Sequence, residues 1–340
     1  MKVIDIINQR QDHPFASFEI VPPLKGTDAE RLYSIITPLM QFHPPFINVT
    51  CHRDEVEYHP NPDGTFQKLT LSKRPSTIAI VAAIMRRFPG VEIVPHVICG
   101  GASRHQVESE LLDLRFLGIS NVMALRGDAL PGQKAFRPEP DGFAHTNELV
   151  ALINNLNRGR YLDPNMADDA AETSANTAET GRHAFCTGVA GYPEKHFEAA
   201  NLETDIDHLR RKVEAGADYI VTQMCFDNEA FYRFCDACRK ANISVPIIPG
   251  VKPISALRQL DTLPRTFNID LPQELVERLS RCKDNNEAYS VGTEWCIRQS
   301  EDLLRHGVPA IHYYTMGRTD NILQVVKACF PGATASGQGL

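Results

Sequence analysis

The 340-residue chain has no apolar run approaching the ~20 residues that a membrane span needs. It also lacks both G-x-G-x-x-G and G-x-x-x-x-G-K-[ST], the glycine loops that cradle nucleotide phosphates in doubly wound sheets. Neither H-E-x-x-H nor H-x-x-E-H occurs, and His52, His96, His196 and His312 are scattered, so no metal is expected. A G-x-S-x-G elbow is missing too, which argues against a nucleophilic serine. Positive charge is in short supply: 35 Lys and Arg stand against 42 Asp and Glu, a net charge of −7. That balance argues against nucleic-acid backbone binding as the main activity. The first eleven residues have no signal-peptide core, and a cytoplasmic location is expected. Nine cysteines fit a reducing compartment. Cys235 and Cys238 form a C-x-x-C, but it falls in a helical pattern without a second such pair, and two helix-face thiols are the simpler reading.

What is present is an alternation. Eight β-rich apolar runs are predicted as strands: 17–21, 46–51, 92–99, 121–126, 187–192, 219–226, 245–251 and 310–315. Amphipathic stretches separate them at 28–42, 75–88, 103–117, 146–157, 202–215, 228–242 and 255–263, with further helices at 272–282, 286–306 and 320–330. Strict β–α alternation with buried-type strands implies a parallel sheet, and eight units in about 300 residues fit a (β/α)8 TIM barrel with extra helices. A doubly wound sheet ranks lower because its glycine fingerprint is absent. One segment breaks the rhythm. Residues 158–182 are an acidic low-complexity run with almost no apolar periodicity, expected to be a disordered insertion, as is the tail 331–340. The expected organisation is thus one barrel domain over 1–330.

In such a barrel, chemistry gathers at the C-terminal strand ends. There the sequence places Glu19, Thr50-Cys51-His52, His96, Arg126-Gly127-Asp128, Tyr192 with His196, Gln223, and Tyr314 through Arg318. Glu19 interrupts an apolar strand. Desolvation would raise its pKa and suit it to proton donation, whereas pairing with a buried Arg or with amides would make it structural. Arg126-Gly127-Asp128 sets a cation and a carboxylate around a residue that lets backbone approach a ligand, or else makes a turn with a local ion pair. Gln223 could bond a heteroaromatic edge or a neighbouring barrel residue. From the residues alone, a barrel binding a large polar-aromatic ligand follows, with Glu19 and Asp128 as candidate acid and electrostatic groups.

Taken in order, Ser17-Phe18-Glu19-Ile20-Val21-Pro22-Pro23, Asn48-Val49-Thr50, Val94-Pro95-His96, Ala124-Leu125-Arg126-Gly127-Asp128, Val189-Ala190-Gly191-Tyr192-Pro193-Glu194-Lys195-His196, the helix end Lys212–Ala217, Thr222-Gln223 through Asp227, Ile247-Ile248-Pro249-Gly250-Val251 and Tyr314-Thr315 through Arg318 resemble the bacterial-type methylenetetrahydrofolate reductase family. The resemblance spans residues 15 to 330 outside the 158–182 insertion. It implies an FAD-dependent oxidoreductase that reduces 5,10-methylenetetrahydrofolate to 5-methyltetrahydrofolate with NADH or NADPH, in ping-pong order, and so serves methionine synthesis. It implies FAD contacts from Thr50, His96, Arg126, Gly127, Asp128, Tyr192, His196, Ala199, Asp205, His208, Arg211 and Lys212, and folate contacts from Gln223, Gln259 and Arg318. Glu19 would be the general acid, with Asp128 near flavin and pterin. The family implies a homo-oligomer, and no regulatory domain of the eukaryotic kind is expected. Cys51-His52 and Leu263 depart from the usual pattern; many members carry Phe at the latter, so the electron donor stays open between NADH, NADPH and a protein. A non-catalytic or partner-fed flavin- or folate-binding barrel is the alternative.

Overall fold

The computed structural model describes residues 1–10, 13–130, 133, 135–165 and 184–331. Eight parallel strands close into a barrel: β1 (Phe15–Ile20), β2 (Phe46–Val49), β5 (Glu92–Ile98), β6 (Asn121–Leu125), β7 (Cys186–Gly191), β8 (Tyr219–Met224), β9 (Ile247–Val251) and β10 (Ala310–Tyr314). Their order round the wall is β1-β10-β9-β8-β7-β6-β5-β2, with β2 closing on β1. All eight runs read from the sequence are these strands. The helices begin with α1 (Val3–Gln9), which closes one end of the barrel, and α2 (Ala29–Ile36), α3 (Thr77–Arg87), α4 (Arg104–Phe116), α5 (Thr146–Asn157) and α6 (Leu202–Glu214), which pack outside it. They continue with α7 (Asn228–Lys240), α8 (Gln259–Phe267), α9 (Gln273–Ser280), α10 (Asn285–Arg305) and α11 (Asp320–Cys329). Side-chain caps start several of them. Asn201 accepts from Thr204 N at the head of α6, and Ser103 and Gln106 form a capping box on α4.

Strand parity sorts the core. On β1, Ala16, Phe18 and Ile20 pack outward against the helical layer, and Phe15 joins the barrel's lower interior. The lower end is stoppered by α1, whose Val3, Ile6 and Ile7 pack with Phe15, Phe46, Met123 and Tyr219. Asn121 fixes that stopper by accepting from Val3 N at 2.8 Å and donating to Met1 O at 2.9 Å. Each fully buried aliphatic side chain of this kind contributes about 1.5–3 kcal/mol. At the seam of β8 and β9 the backbone approaches so closely that a Cβ on Gly250 would lie 2.2 Å from Thr222 O and 2.6 Å from the Tyr314 ring.

Three features differ from the sequence reading. The stretch after β2 holds an antiparallel hairpin, β3 (Glu55–Pro60) and β4 (Phe66–Leu71), turning at Asn61–Thr65. Helix α1 was also not expected. The single helix read over 28–42 is α2 followed by a 3-10 helix at Thr37–Phe42, where Pro38 removes a backbone donor. Cys235 and Cys238 are free, buried thiols of α7. Of the expected insertion, residues 166–182 lie outside the described residues. Leu162, just before them, donates its N–H to Glu108 Oε1 at 2.7 Å. The expected tail lies outside them too, apart from Pro331. Among the described residues no helix is long and apolar enough to cross a membrane.

Candidate active site

The mouth of the barrel opens into a cavity of about 1070 Å³, lined by the C-terminal strand ends, the foot of the β3–β4 hairpin and one side of α6 from Asp205 to Lys212. Its floor is a polar layer above the apolar stopper. Ser17 Oγ lies 2.9 Å from His312 Nδ1, and Asn48 Nδ2 lies 3.4 Å from His96 Nε2. These four residues are buried, yet Asn48 Oδ1 and His312 Nε2 have no partner among the described residues. Buried polar atoms are normally satisfied, so these two mark where a ligand or solvent atom is received. Burial holds both imidazoles neutral, each pushed down to about 3.

Glu19 sits directly above this floor. It lies one inward position beyond Ser17 on β1, opposite Tyr314 in register, with its side chain 13% exposed. The carboxyl Oε2 is 3.7 Å from His96 Nε2. Burial pushes the carboxyl up to about 8. Of the two readings open in the sequence, the desolvated acid is the one observed: the described residues place no Arg or Lys in ion-pair reach of it. Its backbone carbonyl accepts from Thr315 Oγ1 at 2.7 Å, which pins the strand end. Tyr314 donates to Thr222 O at 2.7 Å and walls the other side.

The β6–β7–α6 side carries the charge. Gly127 adopts φ +84°, a conformation that brings the Arg126–Asp128 backbone to the cavity edge. Arg126 is paired with Glu198 and lies 5.0 Å from the Phe136 ring centroid. Lys212, reaching in from α6, gives a hydrogen bond to Ala190 O at 3.0 Å and stands 5.9 Å from the Tyr192 ring centroid. Burial pushes its ammonium down to about 8, with Asp205 opposing and Arg126 reinforcing the shift. Tyr192 meets His196 edge-on at 4.8 Å, and its phenol is raised by burial. Asp205 Oδ2 accepts from His196 N at 3.0 Å and so ties the loop to α6. His196 is lowered, chiefly by burial and then by Arg126.

Thr50, His96, Arg126, Gly127, Asp128, Tyr192, His196, Ala199, Asp205, His208, Arg211, Lys212 and Gln223 all line this one cavity, together with Glu19. Gln259 and Arg318 do not. Gln259 Oε1 accepts from Ser255 N at 2.7 Å, and Arg318 N caps a turn on Thr315 O. Leu263 is the buried residue of α8, while Phe267, one turn on, lines the mouth. Sequence reasoning missed Ser17 and Asn48 as floor residues and gave His312 no role beyond a rejected metal ligand. The available signal was polar residues at inward parity in apolar strands. It also missed Ser72, Lys73 and Arg74 at the hairpin foot. No cluster of His, Cys, Asp and Glu suited to a metal ion occurs among the described residues.

A family model described as methylenetetrahydrofolate reductase matches residues 3–329. The chain is 31% identical to methylenetetrahydrofolate reductase (NADH) 1 of Arabidopsis thaliana, over 93% of this chain and 48% of that protein. It is 30% identical to 5,10-methylenetetrahydrofolate reductase of Escherichia coli K12, over 89% and 86% respectively. Against a probable methylenetetrahydrofolate reductase (NADPH) of Caenorhabditis elegans it is 27% identical, over 95% and 43%. The chain therefore spans about half the length of the eukaryotic relatives it matches. A solved structure of an uncharacterized protein from Clostridium thermocellum, which binds two copies of 5-methyl-5,6,7,8-tetrahydrofolic acid, shares the fold at TM-score 0.53 and 15% identity, covering 97% of this chain and 99% of that one.

Proposed function

The chain belongs to the methylenetetrahydrofolate reductase family, and on that premise we propose that it reduces 5,10-methylenetetrahydrofolate to 5-methyltetrahydrofolate with electrons from NADH or NADPH. The observation that carries this reading is Glu19, a carboxylic acid still protonated at neutral pH at the floor of a large polar mouth. The alternative of a non-catalytic binding barrel gives such a group no task.

The mouth fits FAD as resident cofactor. Its cavity of about 1070 Å³ exceeds the ~300–1,000 Å³ of a pocket for one small ligand. Among the described residues Lys212 has no carboxylate partner and, with Arg126, it suits a diphosphate; Thr50, His96, Gly127, Asp128, Tyr192, His196, Ala199, Asp205, His208 and Arg211 would complete the holding set. FAD, when bound, supplies hydride chemistry by accepting hydride from a nicotinamide and returning it to the one-carbon unit of the folate. One mouth serving both ligands in turn supports a ping-pong order.

The chain's own groups supply the proton and the orientation. Glu19 delivers its proton to N10 of the substrate; the bond from N10 to the bridging carbon breaks, and an iminium forms at N5 ready for reduction. The neutral His96 and His312 below leave no cation that would draw the proton off Glu19. Asp128 stands at the edge of the mouth to orient the pterin and balance charge as it develops. Gln223, whose Oε1 is held by Met224 N at 2.9 Å, keeps its amide nitrogen for a pterin edge. Gln259 and Arg318 serve the folate only if the outer part of that ligand extends beyond the described cavity. The whole reads as a cytoplasmic, homo-oligomeric FAD barrel over residues 1–330 whose product feeds methionine synthesis.

An anaerobic absorption experiment tests this. The purified protein is expected to show flavin bands that bleach with NADH or NADPH and return on adding methylenetetrahydrofolate. Absence of flavin bands even after adding FAD would overturn it.

A further inference from the structure

The cations that line the mouth divide by whether a carboxylate holds them. Arg53 pairs with Glu139 at 3.4 Å, Lys73 with Glu55, Arg126 with Glu198, and Arg211 with Asp207 at 2.7 Å. Among the described residues, the lining cations left without a carboxylate partner are Lys195, Lys212 and Arg74. Lys195 and Lys212 belong to the β7–α6 side, where each ammonium rests on main-chain carbonyls. Arg74 stands elsewhere, at the foot of the hairpin that follows β2, three strands round the barrel from β7.

Arg74 is half-buried, and its guanidinium donates to one acceptor, the carbonyl of Pro22 just past β1. That bond ties the side chain to the end of β1, the strand that carries Glu19, and leaves most of its five N–H donors without a partner among the described residues. Ser72 and Lys73 line the cavity beside it, and, after burial, its charge helps lower His52, which precedes the same hairpin. A partly desolvated guanidinium without an anion is costly, and a planar fork with free donors matches the two oxygens of a carboxylate or phosphate.

We propose that Arg74, with Ser72 beside it, is a second anion-recognition point at the mouth, which takes a phosphate or carboxylate of an incoming ligand rather than of the resident cofactor. This rests on the functional reading above, in which two incoming ligands carry such groups: the nicotinamide nucleotide its phosphates, the folate its glutamyl carboxylates. The hairpin thus has a task, since it delivers one cation to a lip that the barrel strands leave without any free one.

Titration calorimetry on the flavin-loaded protein separates the two sources without requiring turnover. NAD⁺, NADP⁺ and 5-methyltetrahydrofolate are titrated into the parent protein, Arg74→Ala and Arg74→Lys. Arg74→Ala is expected to weaken one ligand class by about tenfold, with flavin content and Tm unchanged, and Arg74→Lys to recover part of the loss. Loss confined to the nucleotides identifies a phosphate; loss confined to the folate identifies a carboxylate. Affinities all within about twofold of the parent, or loss of both classes together with flavin, overturn the proposal. A parent protein that binds these ligands yet does not turn over methylenetetrahydrofolate defeats the functional reading and leaves the affinities to decide the anion point. A parent that binds neither class overturns both.

Discussion

The Glu19 carboxyl lies 3.7 Å from Nε2 of His96, the spacing of an ion pair, yet neither group is charged at neutral pH. Burial drives both the same way, toward the uncharged form, lifting the acid to about 8 and pushing the imidazole down to about 3. The result is a proton donor in a site with a neutral floor. It suits the ring-opening protonation proposed above.

For the reaction, the acid form must be present. Reoxidation of the reduced protein by methylenetetrahydrofolate is expected to hold steady below pH 8 and to fall about tenfold per pH unit above it. Reduction by the nicotinamide nucleotide needs no proton from Glu19 and is expected not to follow that limb. Stopped-flow measurements of the two half-reactions from pH 6 to 10 would check this; parallel profiles would contradict it.

For stability, Glu19 and the two buried histidines act with opposite sign over overlapping windows. Between its ordinary 4.5 and about 8, Glu19 keeps its proton in the folded chain and has lost it in the unfolded one. Its contribution is therefore greatest at low pH and is lost as pH rises through that window, by at most about 1.4 kcal/mol per unit. His96 and His312 act in reverse. From 6.5 down to about 3 the unfolded imidazoles take up protons that the folded ones refuse, so stability falls as pH falls. Urea midpoints at pH 6 and pH 9 are expected to converge in Glu19→Gln relative to the parent.

Lys212 is expected to act on cofactor retention rather than on the fold. Lys212→Met keeps much of the packing against Tyr192 but removes the ammonium, and is expected to weaken flavin binding by about tenfold or more, with Tm of the flavin-free protein little changed. Flavin content after gel filtration and a binding titration would measure it. Full flavin retention would remove Lys212 from the holding set.

Much of the fold was legible because the barrel strands are buried on both faces and read as apolar runs bounded by turns. Helix α5 matches its predicted span of 146–157 for a related reason, since its apolar residues recur at helical spacing. The hairpin escaped because its strands are largely exposed and its alternation is polar, with Tyr58 and Phe66 facing solvent. The Asn61-Pro62-Asp63-Gly64 run was the turn signal available. Helix α1 is short, and its role as a stopper depends on the closed barrel. Glu19 was legible as a carboxylate in an apolar strand. Its partners were not, because the proximity of Ser17, His312 and His96 depends on strand register and on which strands neighbour one another in the closed wall. The same holds for Arg74, whose position follows from a hairpin the sequence reading did not contain.

The central claim is that Glu19 supplies the proton for folate reduction and nothing else in the cycle. Glu19→Gln, followed in anaerobic stopped flow, tests it most directly. The account predicts normal flavin content, bleaching by the nicotinamide nucleotide at close to the parent rate, and reoxidation by methylenetetrahydrofolate slowed by about 10²–10⁴-fold. Reoxidation at the parent rate would contradict it.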